Sequence, residues 1–262
     1  MKNYIVISVL ILVVIFVFGC IGTGNYGYIS INETGNLSEF DHIVVSGTAP
    51  NHLIVTQGDE ESLGFEAGRN EISNVKTGVS NNRLYLNSTT PVTYYVTVKD
   101  INSIELMGPG PGNMQSSNLK LNNLAIKINN GACNITNINV SNLTLSGEGF
   151  YVTNVTTNDL TINASSCNIT DLTANNLFIS GRGIYISGKA TNQKASIHGA
   201  YNAPNLISKT ATISVDGAGD ATIRVSDLLN AIINGPGDIY YIGNPKITQQ
   251  INGPGTIIQI CG

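Results

Sequence analysis

A two-glycine mark recurs through the second half of the chain on an almost fixed spacing. Gly-x-Gly, or a degenerate version of it, stands at Gly131-Ala-Cys133, Gly147-Glu-Gly149, Ser165-Ser-Cys167, Gly181-Arg-Gly183, Gly199-Ala-Tyr201, Gly217-Ala-Gly219, Gly235-Pro-Gly237 and Gly253-Pro-Gly255. Successive starts lie 16, 18, 16, 18, 18, 18 and 18 residues apart. Gly108-Pro-Gly-Pro-Gly112 reads as an earlier member at longer spacing. A period in this range is the signature of a repeat architecture, in which one unit cannot bury its apolar row and stacked units can.

Each interval reads alike: a glycine turn, a short apolar stretch, a polar Asn/Thr/Ser stretch, then a second alternating stretch. From Gly147, Val152 and Val155 precede Asn158, and Leu160-Thr-Ile162 follows. From Ser165, Ile169 and Leu172 precede Asn175-Asn176, and Leu177-Phe-Ile179 follows. Alternation with period two puts one face in and one face out. Two strands and two turns per unit predict one coil of a β-solenoid every 16–18 residues, stacked at ~4.8 Å. Leu143, Leu145, Leu177 and Ile179 then face the lumen, and Thr144 and Phe178 face outward. Gly131, Gly147, Gly149, Gly181, Gly183, Gly217, Gly219, Gly235, Gly237, Gly253 and Gly255 are read as structural turn glycines, needed for positive φ or close coil-to-coil approach.

Composition excludes the rivals. The chain holds 28 Gly and 34 Asn, residues that favour turns over helix interiors, so a mostly helical protein is ruled out. Hydrophobic residues reach 42%, which rules out disorder. With 13 Lys+Arg against 17 Asp+Glu there is no clustered positive charge to displace phosphate counterions, and no nucleic-acid partner is expected. The asparagines suit stacked amide ladders at the coil corners. Asn134 and Asn168 share one unit position, as do Asn142 and Asn176.

The front half, from about Phe40 to Lys99, lacks the regular spacing but is strand-rich. Phe40 to Val45, His52 to Thr56, Ser62 to Glu66, Arg83 to Leu86 and Val92 to Val98 alternate or run apolar between turn residues. Ahead of it, Lys2 and the apolar run Ile5 to Phe18 suit a secretory signal, being short of the ~20 residues of a membrane span. The run ends Val17-Phe18-Gly19-Cys20, which resembles a lipobox. The expected division is a signal peptide at 1–19, a tether at 20–38 lipidated on Cys20, and a solenoid domain at 39–262. An uncleaved N-terminal anchor is the competing reading.

The remaining cysteines, Cys133, Cys167 and Cys261, show no CxxC pairing and no His neighbours, which argues against zinc. Cys133-Asn-Ile-Thr136 recurs as Cys167-Asn-Ile-Thr170, 34 residues on. One unit per coil places the two thiols two coils apart, beyond disulfide reach, as free, inert and partly buried groups. Asp220 and Asp238 occupy the same place in successive units. They could share a cation, but a carboxylate bonding nearby backbone N–H groups explains a Gly-Asp turn more simply. His42, His52 and His198 show no Ser/His/Asp arrangement, and His42 and His52 read as structural. Glu148 and Arg182, in the middle of their turns, read as exposed tips. Of Tyr240 and Tyr241, one ring should point in and the other out.

The closing stretch Asn234-Gly-Pro-Gly-Asp-Ile-Tyr-Tyr-Ile-Gly-Asn-Pro-Lys246, followed by Asn252-Gly-Pro-Gly255, resembles the closing signature of the auto-transporter adhesin head GIN domain family. Phe40-Asp-His-Ile-Val-Val45, His52-Leu-Ile-Val-Thr-Gln-Gly58 and Arg83-Leu-Tyr-Leu86 follow that family's opening order. Proline replaces a central serine at Pro236 and Pro254. The resemblance, over roughly residues 38 to 260, implies an all-β, right-handed parallel β-helix with an adhesive role and no enzyme activity or cofactor. The expectation is an exported protein on the outer face of the cell membrane or cell surface, held to the membrane by a lipid anchor. Its partner would be a surface glycan or protein, and trimer formation is left open. A polysaccharide-active, lyase-like enzyme on the same fold and a passive envelope spacer are the alternatives.

Overall fold

The computed structural model describes residues 28–34, 37–110 and 112–262. The signal segment 1–19, Cys20 and residues 21–27 of the tether lie outside them. The chain is a β-solenoid of about 8 coils. Among the described residues there is no α-helix, only the 3-10 turn Ile72–Asn74.

The regular half begins at β10 (Lys120–Ile128) and β11 (Gly131–Gly147) and continues through β12 (Phe150–Val215), a strand run that winds through several coils, and β13 (Ala221–Ile233). Successive coils pair in parallel: Cys133 lies beside Phe150 and Leu143 beside Leu160, an offset of 17 residues. One sequence unit is one coil. Within a coil, however, there are three short strand segments and not two. In the coil of β11 the inward residues fall in three pairs, Cys133 with Ile135, Ile138 with Val140, and Leu143 with Leu145, all buried. The ladder breaks between them at Asn137 and Ser141. Asn137 supplies the corner by adopting φ 56°, as do Asn118, Asn154 and Asp171 on neighbouring coils with φ 57–58°. Asn and Asp tolerate this left-handed region better than other non-glycine residues, so the polar stretch inside each unit is a corner, not a loop. The outward and inward assignment holds: Leu143, Leu145, Leu177 and Ile179 are buried, and Phe178 is 44% exposed.

The lumen explains the 34-residue likeness. One inward column runs Met114, Cys133, Phe150 along the paired strands, and Cys167 follows one 17-residue coil later. All four are buried. A small thiol above and below a phenyl ring fills a lumen of constant width, so alternate coils, and not adjacent ones, resemble each other. Cys133 and Cys167 are free thiols, fully buried where partial burial was expected.

The front half lacks the spacing because its winding is not sequential. β2 (His42–Gly47) and β3 (Asn51–Gln57) form a first coil. The second, β6 (Arg83–Ser88) and β7 (Val92–Val98), pairs on its N-terminal side. The third, β8 (Ser103–Leu106) and β9 (Gly112–Ser117), pairs on the opposite side and leads into β10 and β11. Antiparallel strands cover the N-terminal end. β4 (Ser62–Gly68) pairs with β7, β5 (Val75–Ser80) with β6, and β1 (Tyr28–Thr34) with β4. β1 falls inside the stretch expected to be tether; its Tyr-Ile-Ser-Ile alternation was obscured by the surrounding Gly and Asn. β14 (Ile239–Ile242) and β15 (Lys246–Ile251) form the last full coil, and β16 (Ile257–Gln259) stacks on β14 as the start of the next.

Glycine is demanded for two different reasons along the series. Gly131 has φ 134°, and a Cβ there would lie 1.7 Å from the carbonyl oxygen of Gly112 on the preceding coil. Gly219 has no such φ, but its Cβ would meet the carbonyl carbon of Gly199 at 2.1 Å.

Candidate binding face

The third segment of each coil carries outward residues in two adjacent columns. One contains Thr161, Phe178, Lys194 and Thr212; the other contains Asn163, Ser180, Ser196 and Ser214. The side chain of Asn192 donates to Asn176, sixteen residues back, at 2.9 Å, so Lys194 stands one coil beyond Phe178. Between the columns lies an open groove of about 400 Å³, lined by Phe178, Lys194, Thr161, Thr212 and Ser196 above a floor that includes Ile162, Ile179 and Ala195. It shares Asn163 and Ser180 with a second recess of about 310 Å³, closed by Arg182 and His198 over the small residues Ala164, Ser165 and Gly181. The two adjoin at these shared residues, and together they are the depression of the third face.

Its electrostatics run against the net charge of the chain. The ion pairs among the described residues are Asp41–His42 at 3.4 Å and Arg83–Glu105 at 3.5 Å. Arg182 and Lys194 therefore have no carboxylate partner within the described residues. Asp216 borders the groove, but its carboxylate accepts from Asn234 at 2.7 Å, Ser196 at 2.9 Å and Ser214 at 3.0 Å. The Asn234 bond leads in holding it below the ordinary carboxylate range, with help from the two serines and His198. Ser196, His198 and Asp216 are thus brought together, but not as a nucleophilic triad. The serine hydroxyl is donated directly to the carboxylate, whereas a triad places the imidazole between them.

Asp220 and Asp238 are also structural. Asp220 accepts from the backbone N–H of Asp238 at 2.8 Å, and Asp238 from the N–H of Thr256 at 2.6 Å and its hydroxyl at 2.9 Å. Each carboxylate clamps the backbone of the next coil, and the turn it belongs to is not its partner. Among the described residues no group of three or more His, Cys, Asp or Glu is placed to hold a metal ion. Tyr240 turns outward to donate to Asp238 at 3.1 Å, while Tyr241 packs against the core. Glu148 and Arg182 are exposed, as their turn positions imply, but Arg182 belongs to the groove. His42 bonds the hydroxyl of Ser103. His52 lines a separate recess of about 220 Å³ with Asn51, Glu66, Thr93 and Asn113, and its Nε2 is buried without a partner.

The ladders exist, partly at other asparagines than expected. Asn137 donates to Asn118 at 3.0 Å and Asn154 to Asn137 at 2.8 Å, along the corner of positive φ. Asn142 and Asn176 share a column with Asp159 between them, and each bonds within it, Asn142 donating to Asn123 at 2.7 Å and Asn176 to Asp159 at 2.8 Å. Asn134 and Asn168 form no such ladder, because Tyr151 occupies the coil between them. The groove was half visible in the sequence: Phe178 facing outward was readable, and the 16-residue step from Ser165 to Gly181 stacks Lys194 beside it, but nothing in the sequence marks the recess that Arg182 and His198 line next to them.

The sequence profile of the family described as "Putative auto-transporter adhesin, head GIN domain" matches residues 39–184 and 177–245. No curated protein matches the chain by sequence. Among solved structures, a putative adhesin from Parabacteroides distasonis aligns with a TM-score of 0.62 at 20% identity, covering 91% of this chain and 98% of that one. A putative lipid binding protein from the same organism aligns at 0.59 and 19% identity, with the same coverage. A putative adhesin from Parabacteroides merdae aligns at 0.54 and 19% identity, also over 91% and 98%. At these identities the likeness is one of fold.

Proposed function

Because the chain belongs to the auto-transporter adhesin head GIN domain family, we propose that it is an exported, lipid-anchored surface protein whose work is adhesin-like binding without catalysis. The observation that carries this reading is the depression on the third face. It is open to solvent, it is lined by side chains on stacked strands, and the Ser/His/Asp cluster beside it is wired for structure. A surface that holds a ligand fits this geometry; a site that must desolvate and polarise a reacting bond does not. The Val17-Phe18-Gly19-Cys20 sequence supports attachment through a lipid on Cys20.

Two measurements test the proposal. Cells bearing Cys20→Ser should lose the membrane-bound form, or retain an unprocessed precursor, with the solenoid intact; unchanged processing and retention would refute lipidation. The purified chain should bind cells or a glycan array and leave acidic polysaccharides uncut, with and without calcium. Turnover of any of them would refute the non-catalytic role.

A further inference from the structure

We propose that the depression formed by Phe178, Lys194, Arg182 and His198 is a binding site for a carboxylated polysaccharide, seated with one sugar ring on Phe178 and its carboxylates at Lys194 and Arg182. This deepens the binding role proposed above and rests on it.

Four observations carry the assignment. First, the lining departs from what the fold needs. In the column of Phe178 the other coils of the groove carry Thr161, Lys194 and Thr212, yet here a phenyl ring stands 44% exposed. An exposed ring contributes nothing to the lumen, and its electron-rich face suits the polarised C–H bonds of a pyranose. Second, Lys194 and Arg182 lie at the ring's side and end of the groove, without carboxylate partners among the described residues. In a chain of charge −4 with 13 basic residues, two unpaired cations flanking one groove form a local positive patch, and an anionic ligand complements it. Third, the groove wall is a series of hydroxyls and amides (Asn163, Ser180, Ser196, Thr212, Ser214). Asn163, Ser180, Ser196 and Ser214 come from four consecutive coils and so repeat at the ~4.8 Å strand spacing. Regularly spaced donors and acceptors match a polymer of regularly spaced hydroxyls. Fourth, the alternatives lack their requirements. Peptide capture by strand addition needs a free sheet edge, and these strands are mid-solenoid with neighbours on both sides. Nucleic acid needs more phosphate contacts than two cations supply.

Asp216 lies beside the site without lining it. Its carboxylate is engaged by Asn234, Ser196 and Ser214, and it lies beside His198, so a ligand carboxylate is directed toward Arg182 and Lys194 and away from that corner.

The test is affinity electrophoresis of the full chain through gels containing polygalacturonate, its fully methyl-esterified form, or neutral dextran. The expected result is retardation by polygalacturonate alone, weakening as salt rises. Phe178→Ala and the double variant Arg182→Glu, Lys194→Glu should each weaken retention by about tenfold or more. Phe178→Trp should preserve it, since it keeps an aromatic face. The double variant Lys76→Glu, Lys99→Glu, an equal charge change at exposed residues near the N-terminal end and far from the groove, should leave it unchanged. All the substituted side chains point outward, and an unaltered far-ultraviolet spectrum and melting profile would establish that the variants fold. Equal retention of the esterified polymer, or retention insensitive to Phe178→Ala and the charge reversal, would overturn the assignment. So would absence of retention by polygalacturonate in a chain that still binds cells, and that result would leave the adhesin-like role standing. Cleavage of the polymer would instead remove the role on which the assignment rests.

Discussion

Substituting Tyr201 by Phe tests whether the polar chain inside the lumen is energetically coupled. Tyr201 is 1% exposed, and its hydroxyl donates to Gln193 Oε1 at 2.8 Å. The Gln193 amide donates in turn to the Ser208 hydroxyl at 2.7 Å, and Ser208 donates to the carbonyl of Arg224 at 2.8 Å. Gln193 and Ser208 are 3% and 1% exposed, so water cannot replace a lost partner. Removing the hydroxyl strips one bond and leaves Gln193 Oε1 buried and unpaired, a loss of about 1–3 kcal/mol. The phenyl ring keeps the packing, so no cavity term is added. Gln193→Leu should cost a similar amount, by orphaning the Tyr201 hydroxyl. The double variant should cost less than the sum, because neither orphan survives in it; a coupling of about 0.5–3 kcal/mol is the expected range for residues in one network. Urea unfolding of the four species gives the cycle. Hydrogen exchange on the coils around 193–208 checks that the loss is local, as solenoid stability is distributed coil by coil. A Tyr201→Phe protein within about 0.5 kcal/mol of the parent, or additive single effects, would refute the coupling.

Two further outcomes follow from the thiols and the corner carboxylates. Native alkylation mapped by mass spectrometry should label Cys261, which is exposed, and spare Cys133 and Cys167, whose thiols burial pushes upward, to about 12 for Cys167; labelling of either buried thiol without denaturant would contradict the lumen assignment. Asp216 is held below its ordinary value of 3.8, so its contribution to stability is present above that pH and is lost as pH falls through the lower folded value. Asp216→Asn should therefore lower the urea midpoint at pH 7 and converge with the parent as pH falls below about 3.8; an equal gap at every pH would exclude that titration.

The regular half of the fold was legible because lumen and corner obey separate codes. Inward residues alternate with period two, and the glycine marks repeat once per coil, so coil length and the facing of Leu177 and Phe178 could both be read. Two strand segments per coil were inferred where there are three, because Asn137 and its equivalents look like loop chemistry. They are single-residue corners in the left-handed region, and the strand resumes at once. The front half resisted for a topological reason. β2 and β3 are laid down first but end up between coils formed later, so no fixed offset links a residue to its neighbour in space. β5 and β8 went unread: Val75–Ser80 carries a glycine in its middle, and Ser103–Leu106 is only four residues long.

The binding face illustrates where function can be written in such a molecule. Lumen positions are committed to packing, and corner positions to amide and carboxylate bonds between coils, as in the column Asp216, Asn234, Asn252. Only outward positions on the straight segments are free, and in most coils they hold Thr, Ser or Asn, which keep the surface polar at little cost to the sheet. A residue that breaks this default without serving lumen or corner needs another cause. Phe178 breaks it by size, Lys194 by charge on the adjoining coil, and Arg182 by charge at the turn just beyond Phe178. That three such departures meet around one depression is what separates a built site from scattered surface variation. The same reasoning predicts where to look in any chain wound this way: align the coils by their lumen pairs, remove the positions that pack or cap, and read what is left.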